Sequence, residues 1–222
     1  AFLETLQHRD KIAGMAEAGK VALIRDPAFY EFQEAHAERL AHAEPAPLAQ
    51  LIRRSAEIHL AHIASSGDPF EQGSARPLDF GHWAAHKLET LTAHRLRHWE
   101  AVAIGIALDS VYSARRGYLA QEIAERIVTL LETLGFTLWA DELDGRDATG
   151  QHSVLRGLRE FREHLGGTLH ITLLRGIGAG FEVHEMDEAR VLESIDWLRH
   201  RHLARHWAAP APRRAAEGHT RA

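Results

Sequence analysis

Cysteine is absent from the 222 residues. That zero excludes disulfides, thiolate zinc sites, iron–sulfur clusters and a cysteine nucleophile, so a bound metal would have to sit on nitrogen and oxygen ligands. Methionine and tyrosine are scarce, at two and three residues. No apolar run approaches the roughly 18 residues that a membrane span needs, and the N-terminus lacks the charged-then-apolar layout of a signal peptide. The expectation is a cytoplasmic protein with no membrane partner. A surplus of basic charge is missing too. With 26 Lys and Arg against 31 Asp and Glu the formal net charge is −5, which gives no electrostatic reason to expect nucleic acid.

What the chain has instead is histidine, 17 residues of it. The 45% apolar and 26% charged content is that of an ordinary soluble globular protein. At about 150 residues per domain the length suggests one large domain or one and a half. The chain opens on Ala1-Phe2-Leu3-Glu4-Thr5 rather than on Met, with Phe2, Leu3 and Leu6 reading as the interior of a fold, so we expect it to begin mid-protein.

Apolar spacings of three and four predict a helix from Arg9 to Ile24, stopped by Asp26-Pro27 because the residue before proline is pushed out of the helical region. A second helix is expected from Ala28 to His42, a turn at Glu44-Pro45-Ala46-Pro47, and a long amphipathic helix on Leu48, Leu51, Ile52, Ala56, Leu60 and Ile63. The turn-rich stretch 68–77 is a long loop of the kind that carries function. A short helix follows from Gly81 to Thr92. The next, from His98 to Arg116, is apolar all round between Ala101 and Leu108 and so is expected to be buried. Ile123, Ile127, Leu130, Leu131 and Leu134 mark another helix, capped by Gly135. Beyond Leu143 a loop and a short helix, Ser153 to His164, lead to a strand at 168–174, for which Phe181-Glu182-Val183 is a candidate partner. A last helix from Met186 to about His206 precedes a tail, 207–222, poor enough in apolar residues to be disordered. The fold class is therefore mainly α, a multi-helix domain over 1–206 with a small late β element.

Three histidines stand out. His82 and His86 are four apart and share a helix face, the spacing that lets two imidazoles converge on a metal or substrate, although chance pairs of this spacing are expected in so histidine-rich a chain. His98 opens the buried helix and is either a cap or a ligand. Glu17 and Lys20, one helical turn apart, read from pattern alone as a solvated charge pair.

The stretch Leu78-Asp79-Phe80-Gly81-His82 with His86, followed by His98-Trp99-Glu100-Ala101-Val102-Ala103-Ile104-Gly105, resembles the signature of the 3-dehydroquinate synthase family of sugar phosphate cyclases. The segment from Ala16 to Asp26 resembles that family's other metal-binding segment, in the same order, and the likeness extends through Leu173-Leu174-Arg175-Gly176-Ile177-Gly178 to about Met186. The resemblance implies a C-terminal, dehydroquinate-synthase-like domain, with the family's N-terminal NAD-binding domain absent from this chain. It implies Zn2+, or Co2+, on Glu17, His82 and His98, two histidines and a carboxylate being the set expected of a catalytic site with an open position. Lys20, His62, Arg76 and Asp79 would bind the substrate, His86 and Glu71 would move protons, and NAD would be held mainly by the missing domain. The implied substrate is a phosphorylated seven-carbon sugar, which undergoes NAD-dependent phosphate elimination and intramolecular aldol closure to a carbocycle, as in aromatic amino acid biosynthesis. A homodimer is compatible with this reading.

Several positions depart from the family pattern. Asp79 replaces asparagine and His62 replaces lysine, the former being more like the relatives that cyclise sedoheptulose 7-phosphate (valiolone synthase-like). Trp99 stands where the family has glycine, and Gly19 interrupts the first ligand helix. A degenerate, non-catalytic metal-binding domain is the competing expectation. A His-Asp phosphohydrolase is disfavoured because the sequence contains no His-Asp dipeptide. The only glycine cluster, Gly176 to Gly180, lacks the last glycine of the dinucleotide fingerprint and reads as a turn.

Overall fold

The computed structural model describes residues 2–66, 76–164 and 167–208. Eleven α-helices, three 3-10 turns and one hairpin occupy them. In chain order they are α1 (Phe2–Thr5), α2 (His8–Ala13), α3 (Met15–Arg25), α4 (Pro27–Ala35), α5 (Ala37–Ala41), α6 (Pro45–Ser66), a 3-10 turn (Arg76–Asp79), α7 (His82–Leu91), α8 (His98–Arg115), α9 (Gln121–Thr133), 3-10 turns at Asp141–Leu143 and Ser153–Leu155, α10 (Arg156–His164), β1 (Ile171–Gly176), β2 (Ala179–Val183) and α11 (Glu188–Ala208). The mainly α class with a late two-stranded element is as expected.

Helix α8 is the axis of the fold. Every residue from Ala101 to Ser113 is buried, and α3, α7, α9, α11 and β1 all pack on it. An all-apolar helix can be covered on every side only in such a position. Helix α9 presents Ala124, Ile127, Val128, Leu130 and Leu131 inward. It ends as its glycine predicts, with Gly135 at φ +105°, its N–H on the Glu132 carbonyl and the Phe136 N–H on the Leu131 carbonyl.

The helices expected at 9–24 and 28–42 are each interrupted, at Gly14 and at His36, where the backbone leaves regular helix at φ −117°, ψ 13°. Pro45 and Pro47, expected in a turn, instead lie in the first turn of α6. Proline is tolerated there because the first N–H groups of a helix have no intrahelical acceptor. The apolar stripe of α6 is only partly used. Leu48 and Leu51 are buried, whereas Ile52 and Leu60 are 41% and 66% exposed. The glycine cluster is the hairpin turn that the sequence suggested, with Gly178 at φ +76° between antiparallel strands in the register Ile171↔Val183 and Thr172↔Glu182.

Candidate metal and substrate site

The contact between α7 and α8 creates the candidate site, and two glycines permit it. Gly81 adopts φ +81°, a left-handed conformation, immediately before α7 begins. Opposite it on α8 is Gly105, where a Cβ would overlap the Gly81 carbonyl oxygen and come within 2.7 Å of its carbonyl carbon. The turn is tied down by Asp109, fully buried on α8. Its carboxylate accepts from the Gly81 N–H at 3.1 Å and from the Trp83 indole N–H at 2.8 Å. Burial pushes the Asp109 carboxyl up to about 7, against the two donors, which favour the ionised form. The sequence signal for Asp109 was a lone carboxylate directly after an apolar helical run, a group that must find partners when buried.

This clamp sets His82 as the first residue of α7, and α8 opens with His98. His98 is not the cap. The Glu100 carboxylate reaches back to the Arg97 N–H at 2.9 Å, and Arg9 in turn holds Glu100 at 2.5 and 2.6 Å. His82, His86 and His98 converge, with ring centroids 5.4 Å (82 to 98), 5.7 Å (82 to 86) and 5.9 Å (86 to 98) apart.

The ring nitrogens are sorted by their partners. His82 Nδ1 lies 3.1 Å from the Phe80 carbonyl oxygen, so Nδ1 carries the proton and Nε2 presents a lone pair. Burial, then the nearby Lys20 charge, lowers the His82 pKa to about 3, which keeps the ring neutral as a ligand must be. His98 Nδ1 faces the Glu89 carboxylate at 3.1 Å, the carboxylate–histidine pairing that commonly orients a ligating imidazole. Glu89, one turn after His86 on the same helix, was not singled out from sequence, although its spacing from His86 could have pointed to it.

Glu17 and Lys20 form no solvated pair. Lys20 is only 3% exposed, with Nζ 2.8 Å from Glu17 Oε2 and 5.3 Å from the centre of the Trp99 ring. Trp99 thus finds a pocket between Lys20 and His98, its ring 4.7 Å from the latter. Glu17 Oε1 bonds His59 Nε2 at 2.5 Å, a partner from α6 that no sequence pattern marked. Glu17 Oε2 is buried with a cation beside it but no hydrogen bond aimed at it. Among the described residues, the donor atoms that close within 4.8 Å at this site are those of His86, Glu89 and His98.

Glu17 and His82 fall outside that group, but a buried carboxylate oxygen with no hydrogen bond, beside the imidazoles of His82 and His98 whose Nδ1 atoms are already engaged, is the kind of nitrogen and oxygen donor set that a divalent ion takes. Asp79 ends the 3-10 turn that packs on α3 and the hairpin. The backbones of His62 and Arg76 lie in α6 and in that turn, but their side chains, like the whole of Glu71, lie outside the described residues. A cavity of about 640 Å³, lined by Arg9, Arg95, Glu100, Trp139 and His202, contains none of the three histidines. Its two arginines are already paired, Arg9 with Glu100 and Arg95 with Glu142.

Residues 14–153, which span Glu17, Lys20, Asp79 and all three histidines, match the family model described as 3-dehydroquinate synthase C-terminal. The chain belongs to that family. It is 36% identical over 201 residues to a 3-dehydroquinate synthase of Xanthomonas campestris pv. campestris, covering 87% of this chain and 52% of the relative, and 34% identical over 197 residues to that of a Ruegeria species. It spans about half the length of these curated relatives. The fold is also that of ValA, the 2-epi-5-epi-valiolone synthase of Streptomyces hygroscopicus subsp. jinggangensis solved with NAD+ and Zn2+ bound, at a TM-score of 0.79 and 27% identity over 90% of this chain and 54% of the other. A 2-deoxy-scyllo-inosose synthase complexed with carbaglucose-6-phosphate, NAD+ and Co2+ shares the fold at a TM-score of 0.65 and 20% identity, covering 86% of this chain and 53% of that one. Family membership gives the Gly81–Gly105 contact its meaning: it brings together the two histidine-bearing segments on which the likeness rests.

Proposed function

We propose that this chain is the metal- and substrate-binding half of a 3-dehydroquinate synthase-like sugar phosphate cyclase, a carbon–oxygen lyase acting on a phosphorylated seven-carbon sugar with NAD. The observation that carries it is the convergence of His82, His86 and His98 beside the largely buried Glu17–Lys20 pair. Glu17, His82 and His98 would hold Zn2+ or Co2+, the metals bound in the two solved neighbours. When bound, the ion supplies Lewis acidity toward the substrate's oxygens.

The remaining groups bind, orient and move protons. Lys20, with Arg76 and His62, offers cationic or donor groups to an anionic sugar, and Asp79 accepts from its hydroxyls. His86 and Glu71 hold and deliver protons. Glu89 positions His98 by accepting its Nδ1 proton. NAD would be held chiefly by a nucleotide-binding domain outside these 222 residues. Asp79 and the likeness to ValA support sedoheptulose 7-phosphate cyclisation as the second reading.

The test has two arms. Substituting Glu17→Ala or His98→Ala should remove one equivalent of zinc or cobalt, measured by elemental analysis after dialysis; full retention in His98→Ala would overturn the ligand assignment. Supplied with a nucleotide-binding domain and NAD, the chain should release inorganic phosphate from a phosphorylated seven-carbon sugar. No release from any such sugar would favour a non-catalytic metal-binding domain.

A further inference from the structure

Most of the 17 histidines lie away from the site described above. Two of them share the late hairpin, beyond the residues 14–153 that match the family model. His170 directly precedes β1 and His184 directly follows β2. The register Ile171↔Val183, extended by one step, sets the two histidines opposite each other, and their ring centroids are 4.9 Å apart. Because side chains alternate between faces with period two, Glu182 falls on the same face as His184. Its Oε1 lies 3.0 Å from His170 Nδ1 and 3.7 Å from His184 Nε2.

These three side chains form a group whose donor atoms all lie within 4.8 Å of one another. A tetrahedral ion with metal–ligand bonds of about 2.0–2.1 Å holds its ligand atoms roughly 3.3 Å apart, a separation bracketed by the two observed here. His184 is already oriented as a ligand. Its Nδ1 lies 2.9 Å from the Leu169 carbonyl oxygen, so the proton sits on Nδ1 and Nε2 faces the carboxylate with its lone pair. The face is partly exposed, with side chains 29%, 38% and 57% accessible for His170, Glu182 and His184, so an ion can enter without rearrangement.

We propose that His170, Glu182 and His184 form a second metal site, for a borderline divalent first-row ion of the Zn2+ class, which staples β1 to β2. Two imidazoles and one carboxylate select such ions over Mg2+ and Ca2+, which favour oxygen ligands only. The hairpin already packs on α8 and α3, and an ion that binds only the folded form would stabilise its open end further.

The test is calorimetric titration of the metal-free full chain with ZnCl2. The Glu17→Ala/His98→Ala protein, which lacks both of those donors of the first site, should bind one equivalent of zinc with a dissociation constant in the micromolar range. Adding His170→Ala and His184→Ala should weaken that binding at least about 100-fold, and Glu182→Gln alone about 10-fold. MgCl2 should give no binding. The proposal is overturned if the Glu17→Ala/His98→Ala protein binds zinc only at millimolar concentration, or if its tight site survives loss of both hairpin histidines. Should that protein fail to fold, the otherwise wild-type chain carrying His170→Gln and His184→Gln must bind one zinc fewer than wild type; equal stoichiometry would also overturn the proposal.

Discussion

Gly105→Ala is the sharpest perturbation the fold offers, because the ordinary effect of the substitution has the opposite sign. In a helix interior alanine is favoured over glycine by about 1 kcal/mol. At position 105 the new Cβ would overlap the Gly81 carbonyl oxygen and approach its Cα to 2.9 Å, so the segment before His82 must move. Overpacking of this kind costs about 1–3 kcal/mol. Displacing Gly81 also breaks its hydrogen bond to buried Asp109, for roughly another 1–3 kcal/mol. Offsetting the propensity gain leaves a net destabilisation of about 1–5 kcal/mol, centred near 3. With a urea dependence of about 1–3 kcal/mol/M, the central value of about 3 kcal/mol corresponds to a fall in the unfolding midpoint of about 1–3 M. Zinc affinity at the His82 site should fall about 10–100-fold as the ligand is displaced. Gly19→Ala is the matched control. Its Cβ would meet nothing closer than 3.8 Å, so it should gain up to about 1 kcal/mol and raise Tm by roughly 2–4 °C. A Gly105→Ala protein as stable as wild type, with unchanged zinc affinity, would refute the claim that close backbone approach assembles the site.

The lowered His82 pKa gives a pH dependence. Its folded value of about 3 lies below the unfolded value near 6.5, so its contribution to stability is complete above pH 6.5 and is lost as pH falls toward 3, with a limiting slope of about 1.4 kcal/mol per pH unit. Metal-free His82→Gln should show a shallower acid limb in urea titrations between pH 6 and pH 4; an identical limb would mean that other groups carry it. Asp109→Ala leaves the Gly81 N–H and the Trp83 indole without their acceptor and should cost about 2–5 kcal/mol at neutral pH, read from the same denaturation curves.

Periodicity and punctuation were enough to determine the helical class, the burial of α8, the cap at Gly135 and the hairpin around Gly178, because each is a local consequence of residue order. The motifs around His82 and His98 likewise mark the histidine-bearing segments in the sequence itself. Tertiary structure alone decided which polar groups meet. Nothing in local pattern shows that His59 reaches Glu17 across 42 residues, or that Asp109 fastens the turn before His82 across 28. It also reversed a sound local reading of Glu17 and Lys20: a charge pair one turn apart is solvated by default, and only the packing of α3 against α8 and of Lys20 over Trp99 buries it. Local sequence fixes the direction each side chain takes from its own helix or strand. What lies opposite it depends on how closely two backbones approach, and here Gly81 and Gly105 set that distance.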